Sequence, residues 1–151
     1  MSKRAERKLV PAALLARRMA VAPYSRFAVG AALMTRAGKI YSGANVESAS
    51  YGLTCCAERV ALFKALTEGA RDFVAIAVVA RVDGGAMPCG ACRQLLAEYA
   101  PEAKVIVVDS RRPSVVREFS VQELLPGAFL KFTSASAAAA GSPSGMAARR
   151  R

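Results

Sequence analysis

The sequence has no histidine and no tryptophan among its 151 residues, and aromatic side chains make up only 7%. Without histidine there can be no Ser-His-Asp or Cys-His catalytic pair, no imidazole metal ligand and no imidazole charge switch near neutral pH. Any metal site must be built from sulfur or oxygen. Acidic residues are also scarce, 11 against 22 basic, for a net charge of +11. That excess sits mainly at the ends. Residues 1–20 carry six basic side chains and one acid, residues 133–151 carry three arginines and no acid, and residues 21–132 carry 13 basic and 10 acidic. Charge placed this way reads as solvated termini, so nucleic acid is not expected as a partner. No apolar run reaches the roughly 18 residues of a membrane span, and no membrane partner is expected. The stretch Leu9–Ala16 contains Pro11 and runs into Arg17-Arg18, which makes a poor signal peptide and a reasonable first helix. Cysteine is limited to four residues, too few and too clustered for a disulfide scaffold.

Apolar residues make up 54% of the chain, enough for a folded core. The expected organisation is one catalytic domain over residues 1–132, followed by an Ala/Ser/Arg-rich, disordered tail over 133–151. Within the domain the patterning predicts a helix over 9–20 with Pro11 in its first turn, then strands over 27–35 and 40–46 joined at Ala37-Gly38-Lys39. A polar loop over 47–54 leads into a helix over 56–66 that stops near Gly69. The continuous apolar runs 73–80 and 104–109 suit strands covered on both faces. A helix over 89–99 lies between them. A short edge strand over 115–119 and a last helix over 121–126 complete the order. There are no internal repeats. This order predicts a three-layer α/β/α sandwich around one mixed, about five-stranded sheet.

Chemistry concentrates in two short stretches, Cys56-Ala57-Glu58-Arg59 and Pro88-Cys89-Gly90-Ala91-Cys92. Cys89 and Cys92 have the spacing that lets two sulfurs hold one tetrahedral ion, and Cys56 can supply a third while leaving a position for water. Glu58 lies close enough to act on that water without binding the metal. Zinc deaminases carry this pattern, Cys or His followed by Glu and then P-C-x-x-C. Three thiolates on Zn²⁺ leave a formal charge of −1, a handicap for a Lewis acid. Arg59 is placed to donate to the ligand sulfurs and withdraw some of it, or else is an ordinary surface arginine. A closed site that also uses Cys55 is disfavoured because adjacent cysteines seldom reach one ion, so Cys55 reads as a small buried neighbour. Thiolate ligands imply a reducing compartment, the cytoplasm.

Further blocks extend the pattern: Pro23-Tyr24-Ser25-Arg26-Phe27, Asn45-Val46-Glu47, Ala49-Ser50-Tyr51-Gly52-Leu53, Arg93-Gln94 and Glu123-Leu124-Leu125-Pro126-Gly127-Ala128-Phe129. Together with the two motifs they resemble the cytidine deaminases of the small, homotetrameric, thiolate-zinc type, over about residues 9–131. The resemblance implies one Zn²⁺ per subunit on Cys56, Cys89 and Cys92, with Glu58 as proton shuttle. It also implies that Asn45 and Glu47 bind the ribose 3′-hydroxyl, that Phe27 packs on the pyrimidine and that the Ala57 backbone contacts the base. Residues matching Tyr51 and Phe129 reach a neighbouring subunit, so the active sites of the tetramer are shared. Ala28, Ser48 and Met87 depart from the family's usual Pro, Asn and Ser without removing a catalytic group.

The activity this implies is hydrolytic deamination of free cytidine and deoxycytidine to uridine and deoxyuridine with release of ammonia, a pyrimidine salvage reaction. A carboxylate at Glu47 favours a free nucleoside over a strand bearing a 3′-phosphate. Alternatives are a deaminase of single-stranded polynucleotide, a deaminase of a blasticidin S-like nucleoside and a non-catalytic zinc-binding module.

Overall fold

The computed structural model describes residues 3–130, so the expectation of a disordered tail over 133–151 lies outside the described residues. Helix α1 spans Lys3–Arg17. It is followed by strands β1 (Val29–Thr35) and β2 (Ile40–Ala44), helix α2 (Ala57–Thr67), strand β3 (Phe73–Ala80) and helix α3 (Gly90–Tyr99). Strands β4 (Lys104–Asp109) and β5 (Val116–Ser120) and the short helix α4 (Val121–Leu124) complete the order. One five-stranded sheet results, ordered β2-β1-β3-β4-β5. Among these five strands only β3 and β4 pair in parallel, as their crossover through α3 requires. The hairpin between β1 and β2 turns through Gly38 at φ 86°, a left-handed conformation suited to glycine.

The sheet is covered on both faces, and alternation along each strand divides the core in two. Ile76 and Val78 of β3 join Ala31, Leu33, Val105 and Val107 under α2 and α3. Ala75, Ala77 and Val79 join Ala32, Met34, Ile106 and Val108 under α1. The expected three-layer sandwich is therefore the observed one. Where α1 and α2 cross the sheet the approach is very close. A methyl group on Gly30 would stand 2.1 Å from the Ala13 carbonyl in α1, and one on Gly43 would stand 2.5 Å from the Ala61 nitrogen in α2.

Several boundaries differ from the sequence reading, among them the ends of α1 at Arg17 rather than residue 20, of β2 at Ala44 rather than 46 and of α4 at Leu124 rather than 126. Helix α1 begins six residues earlier than expected, which puts Pro11 mid-helix rather than in the first turn. Pro11 is exposed, so water can satisfy the carbonyl that its missing N–H would have bonded. β1 starts at Val29 rather than Phe27, because the backbone of Phe27 bonds to side chains instead of a neighbouring strand. No described helix is long and apolar enough to cross a membrane.

Candidate active site

Two helix starts converge at one end of the sheet. β1 runs antiparallel to both β2 and β3, so those two strands point the same way and the helices after them begin on the same side. Cys56 is the N-cap of α2 and Cys89 the N-cap of α3, each in extended backbone, with ψ of 153° and 166°. Neither side chain makes a capping hydrogen bond, so both sulfurs sit among the open N–H groups of a first helical turn. Cys92 is the third residue of α3 and Glu58 the second of α2.

The sulfurs of Cys56, Cys89 and Cys92 lie within 4.8 Å of one another, the one metal-capable group found among the described residues. Cys56 and Cys89 are 3.8 Å apart and Cys89 and Cys92 are 3.6 Å apart. Tetrahedral zinc with Zn–S bonds of about 2.3 Å separates its sulfurs by about 3.8 Å, so the three fit that ion with little adjustment. Cys55 is not in the group. Its backbone bonds to Val46 in both directions, closing the loop ahead of the site.

The thiols are not equivalent. Hydrogen bonds from Cys92 first, then from Arg59 and Cys89, draw Cys56 down to about 5. The nearby Cys56 sulfur first, and burial second, push Cys92 well above the ordinary thiol range. Cys56 is therefore more acidic than Cys92. Glu58 is 5% exposed, and burial, reinforced by the Cys56 charge, raises its carboxyl to about 7. A group titrating there can both accept and return a proton at neutral pH. Arg59 donates through Nη2 to the Cys56 sulfur at 3.6 Å and to the Thr54 carbonyl at 2.8 Å. Its buried Nε has no partner among the described residues, leaving a further donor on the same guanidinium.

A cavity of about 190 Å³ opens beside the sulfurs. Phe27, Val29, Val78, Ala86 and Met87 give it apolar walls, and Cys56, Ala57, Glu58 and Cys89 bring the reactive groups. It meets at Thr54 a polar hollow of about 340 Å³ lined by Tyr24, Ser25, Glu47, Ser48 and Tyr51. The arrangement suits a flat apolar ring with one polar edge, joined to a hydroxylated group.

Phe27, Asn45 and Ala57 line the first compartment, and Glu47 and Tyr51 the second. Asn45 is already engaged: its Oδ1 accepts from Val29 N–H at 2.8 Å and its Nδ2 donates to the Phe27 carbonyl at 2.9 Å. One Nδ2 hydrogen is left over. Phe129 lines neither compartment. It is 68% exposed, and its carbonyl accepts from Gln94 at 2.7 Å. Sequence reasoning gave no role to Thr54, which joins the compartments, or to Arg93, whose guanidinium bonds the Pro88 carbonyl beside Cys89 and the Leu124 carbonyl at the end of α4. The signal for Arg93 was its place directly after the second cysteine motif.

The family described as the cytidine and deoxycytidylate deaminase zinc-binding region matches residues 3–108. The cytidine deaminase of Halalkalibacterium halodurans is 54% identical over 121 residues, 80% of this chain and 91% of that protein. That of Sporosarcina psychrophila is 46% identical over 124 residues, 82% of this chain and 90% of that protein. The crystal structure of the cytidine deaminase from Burkholderia pseudomallei superposes with a TM-score of 0.78 at 50% identity, covering 85% of this chain and all of the other.

Proposed function

The chain belongs to the zinc-binding cytidine and deoxycytidylate deaminase family, and from that premise we propose that it hydrolyses the C4 amino group of free cytidine, giving uridine and ammonia. The observation that carries this reading is the buried Glu58 carboxyl beside three clustered thiols, facing an apolar cavity that continues into a polar hollow. Cys56, Cys89 and Cys92 would hold zinc, which lowers the pKa of bound water to about 7. Glu58 takes a proton from the attacking water and delivers it to N3 of the ring, making C4 electrophilic. It then takes the remaining proton from the hydroxyl now on C4 and gives it to the amino group; the C4–N bond breaks, ammonia leaves and the C4 carbonyl forms, so one water is consumed per turnover. Phe27 packs on the ring and the Ala57 backbone contacts its polar edge, while Glu47 and the spare Nδ2 hydrogen of Asn45 receive the sugar hydroxyl. Deoxycytidine, which keeps the 3′-hydroxyl that Glu47 and Asn45 would hold, is a second substrate in this reading.

Oligomeric state belongs to the same proposal. Tyr51 is 81% exposed and Phe129 68%, large apolar surfaces that a homotetramer with shared active sites would cover. Free thiols at the metal site suit a reducing compartment such as the cytoplasm, where salvage of nucleosides takes place. Ammonia release from cytidine, deoxycytidine, a single-stranded oligonucleotide and blasticidin S, with zinc measured in the same samples, tests the reading. Activity confined to the oligonucleotide or to blasticidin S overturns it. Glu58→Gln should keep its zinc while turnover falls by at least about 10²–10⁴-fold. Near-normal turnover in that variant removes Glu58 from the mechanism.

A further inference from the structure

Phe27 is fixed by side chains on both sides. Its N–H donates to the Ser25 hydroxyl oxygen at 3.0 Å, and its carbonyl accepts from Asn45 Nδ2 at 2.9 Å. Between Ser25 and Phe27 the chain passes through Arg26 at φ 57°, a left-handed conformation that side chains other than glycine seldom adopt. Something must hold it there, and Glu47 is anchored at the same place. Its Oε2 accepts from the N–H groups of Tyr24 at 3.0 Å and Ser25 at 3.1 Å, and its Oε1 accepts from the Ser25 hydroxyl. The Ser25 hydroxyl therefore uses its one hydrogen on Glu47 and a lone pair on Phe27 N–H. It links the polar hollow, where Glu47 stands, to the aromatic wall of the apolar cavity.

We propose that Ser25 is a positioning residue that couples the sugar-side carboxylate of Glu47 to the base-side ring of Phe27. The inference rests on the reading of this cleft as a cytidine site. Only a small hydroxyl can donate in one direction and accept in the other within this turn, so threonine should substitute and alanine should not. Arg26 keeps its N–H bond to the Ala22 carbonyl at 3.0 Å, and Glu47 keeps the Tyr24 and Ser25 N–H groups, so loss of the hydroxyl frees the Phe27 N–H alone. The Phe27 wall is then less well set, which weakens binding of the base rather than proton transfer by Glu58.

The test is steady-state kinetics on cytidine with zinc-loaded wild type, Ser25→Ala, Ser25→Thr, Phe27→Ala and the Ser25→Ala/Phe27→Ala double variant. Ser25→Ala should raise KM about tenfold with kcat within about twofold, the loss expected for one charge-assisted hydrogen bond. Ser25→Thr should stay near wild type. In the Phe27→Ala background the Ser25 substitution should add less than about twofold, because the ring through which it acts is gone. An equal loss in both backgrounds overturns the coupling, and so does a fall in kcat at unchanged KM, the mark of a partly folded sample. Inactivity of the wild type on cytidine instead sinks the substrate reading, and it is visible before any variant is compared.

Discussion

Replacing Gly43 by alanine gives a sharp test of how the sheet positions the site. A methyl group there would lie 2.5 Å from the Ala61 nitrogen, 2.6 Å from the Ala57 carbonyl and 2.9 Å from the Val60 Cβ, against an ordinary contact of 3.4–4 Å. Two of the three obstacles are backbone atoms of α2, so no rotamer change relieves the clash. The helix must move away by about 1 Å. Overpacking of this kind costs about 3 kcal/mol, the upper end of the usual range for backbone obstacles. Gly43 does not have positive φ, so alanine also reduces unfolded-chain entropy, which returns up to about 1 kcal/mol. Overpacking wins by about 2 kcal/mol, a fall in Tm of about 4–8 °C for a domain of this size. Because α2 carries Glu58 on its first turn, the same displacement should lower kcat/KM by about a hundredfold. Gly30→Ala is the matched control. Its methyl would strike α1 at 2.1 Å from the Ala13 carbonyl, and α1 carries no residue of the site. It should lose stability while the folded fraction keeps its kcat/KM. Thermal unfolding and ammonia release at a temperature where both variants are folded decide the matter. An unchanged Tm and kcat/KM in Gly43→Ala would refute the reasoning.

Two further outcomes follow from charged groups. Arg59→Gln removes the donor on the Cys56 sulfur and should weaken zinc binding by about 10–100-fold in competition with a chromophoric chelator; an unchanged affinity would reduce Arg59 to a structural role. The 4%-exposed Asp109 carboxylate accepts from the Arg111 guanidinium and N–H, which hold it below its ordinary value of 3.8. A depressed folded-state value gives stability that is present above about pH 4 and lost as pH falls through the lower folded value. Tm measured from pH 6 downward should therefore fall more steeply below about pH 4 in wild type than in Asp109→Asn. Parallel curves would exclude Asp109 as a source of the acid sensitivity.

Legibility in the sequence was uneven, for physical reasons. β3 and β4 match their expected limits because both faces are covered, so apolar character begins and ends with the strand. The start of α1 was obscured because its first turns are charged and carry no apolar periodicity. The thiol cluster could be read because its three cysteines fall in two short motifs whose helix starts share one end of the sheet. The brace on Phe27 could not. It depends on a left-handed Arg26 and on hydrogen bonds from residues some twenty positions away, none of which leaves a local pattern. Arg93 and Gln94 tie the metal loop and the segment around Phe129 to α3, contacts that only the tertiary structure reveals.

The two uncapped helix starts have a consequence for how this sequence can drift. Serine or aspartate at an N-cap typically stabilises a helix by about 1 kcal/mol over a residue that cannot cap. Positions 56 and 89 forgo that at both α2 and α3, since each sulfur is turned to the shared cluster. Helix stability alone would favour serine or aspartate at both positions, whereas a thiolate metal site would need cysteine there. Thiolates at positions 56 and 89 would recover part of that loss, because a negative sulfur at a helix N-terminus favours the peptide dipole, so that starting the two helices and gathering the sulfurs at one point are linked.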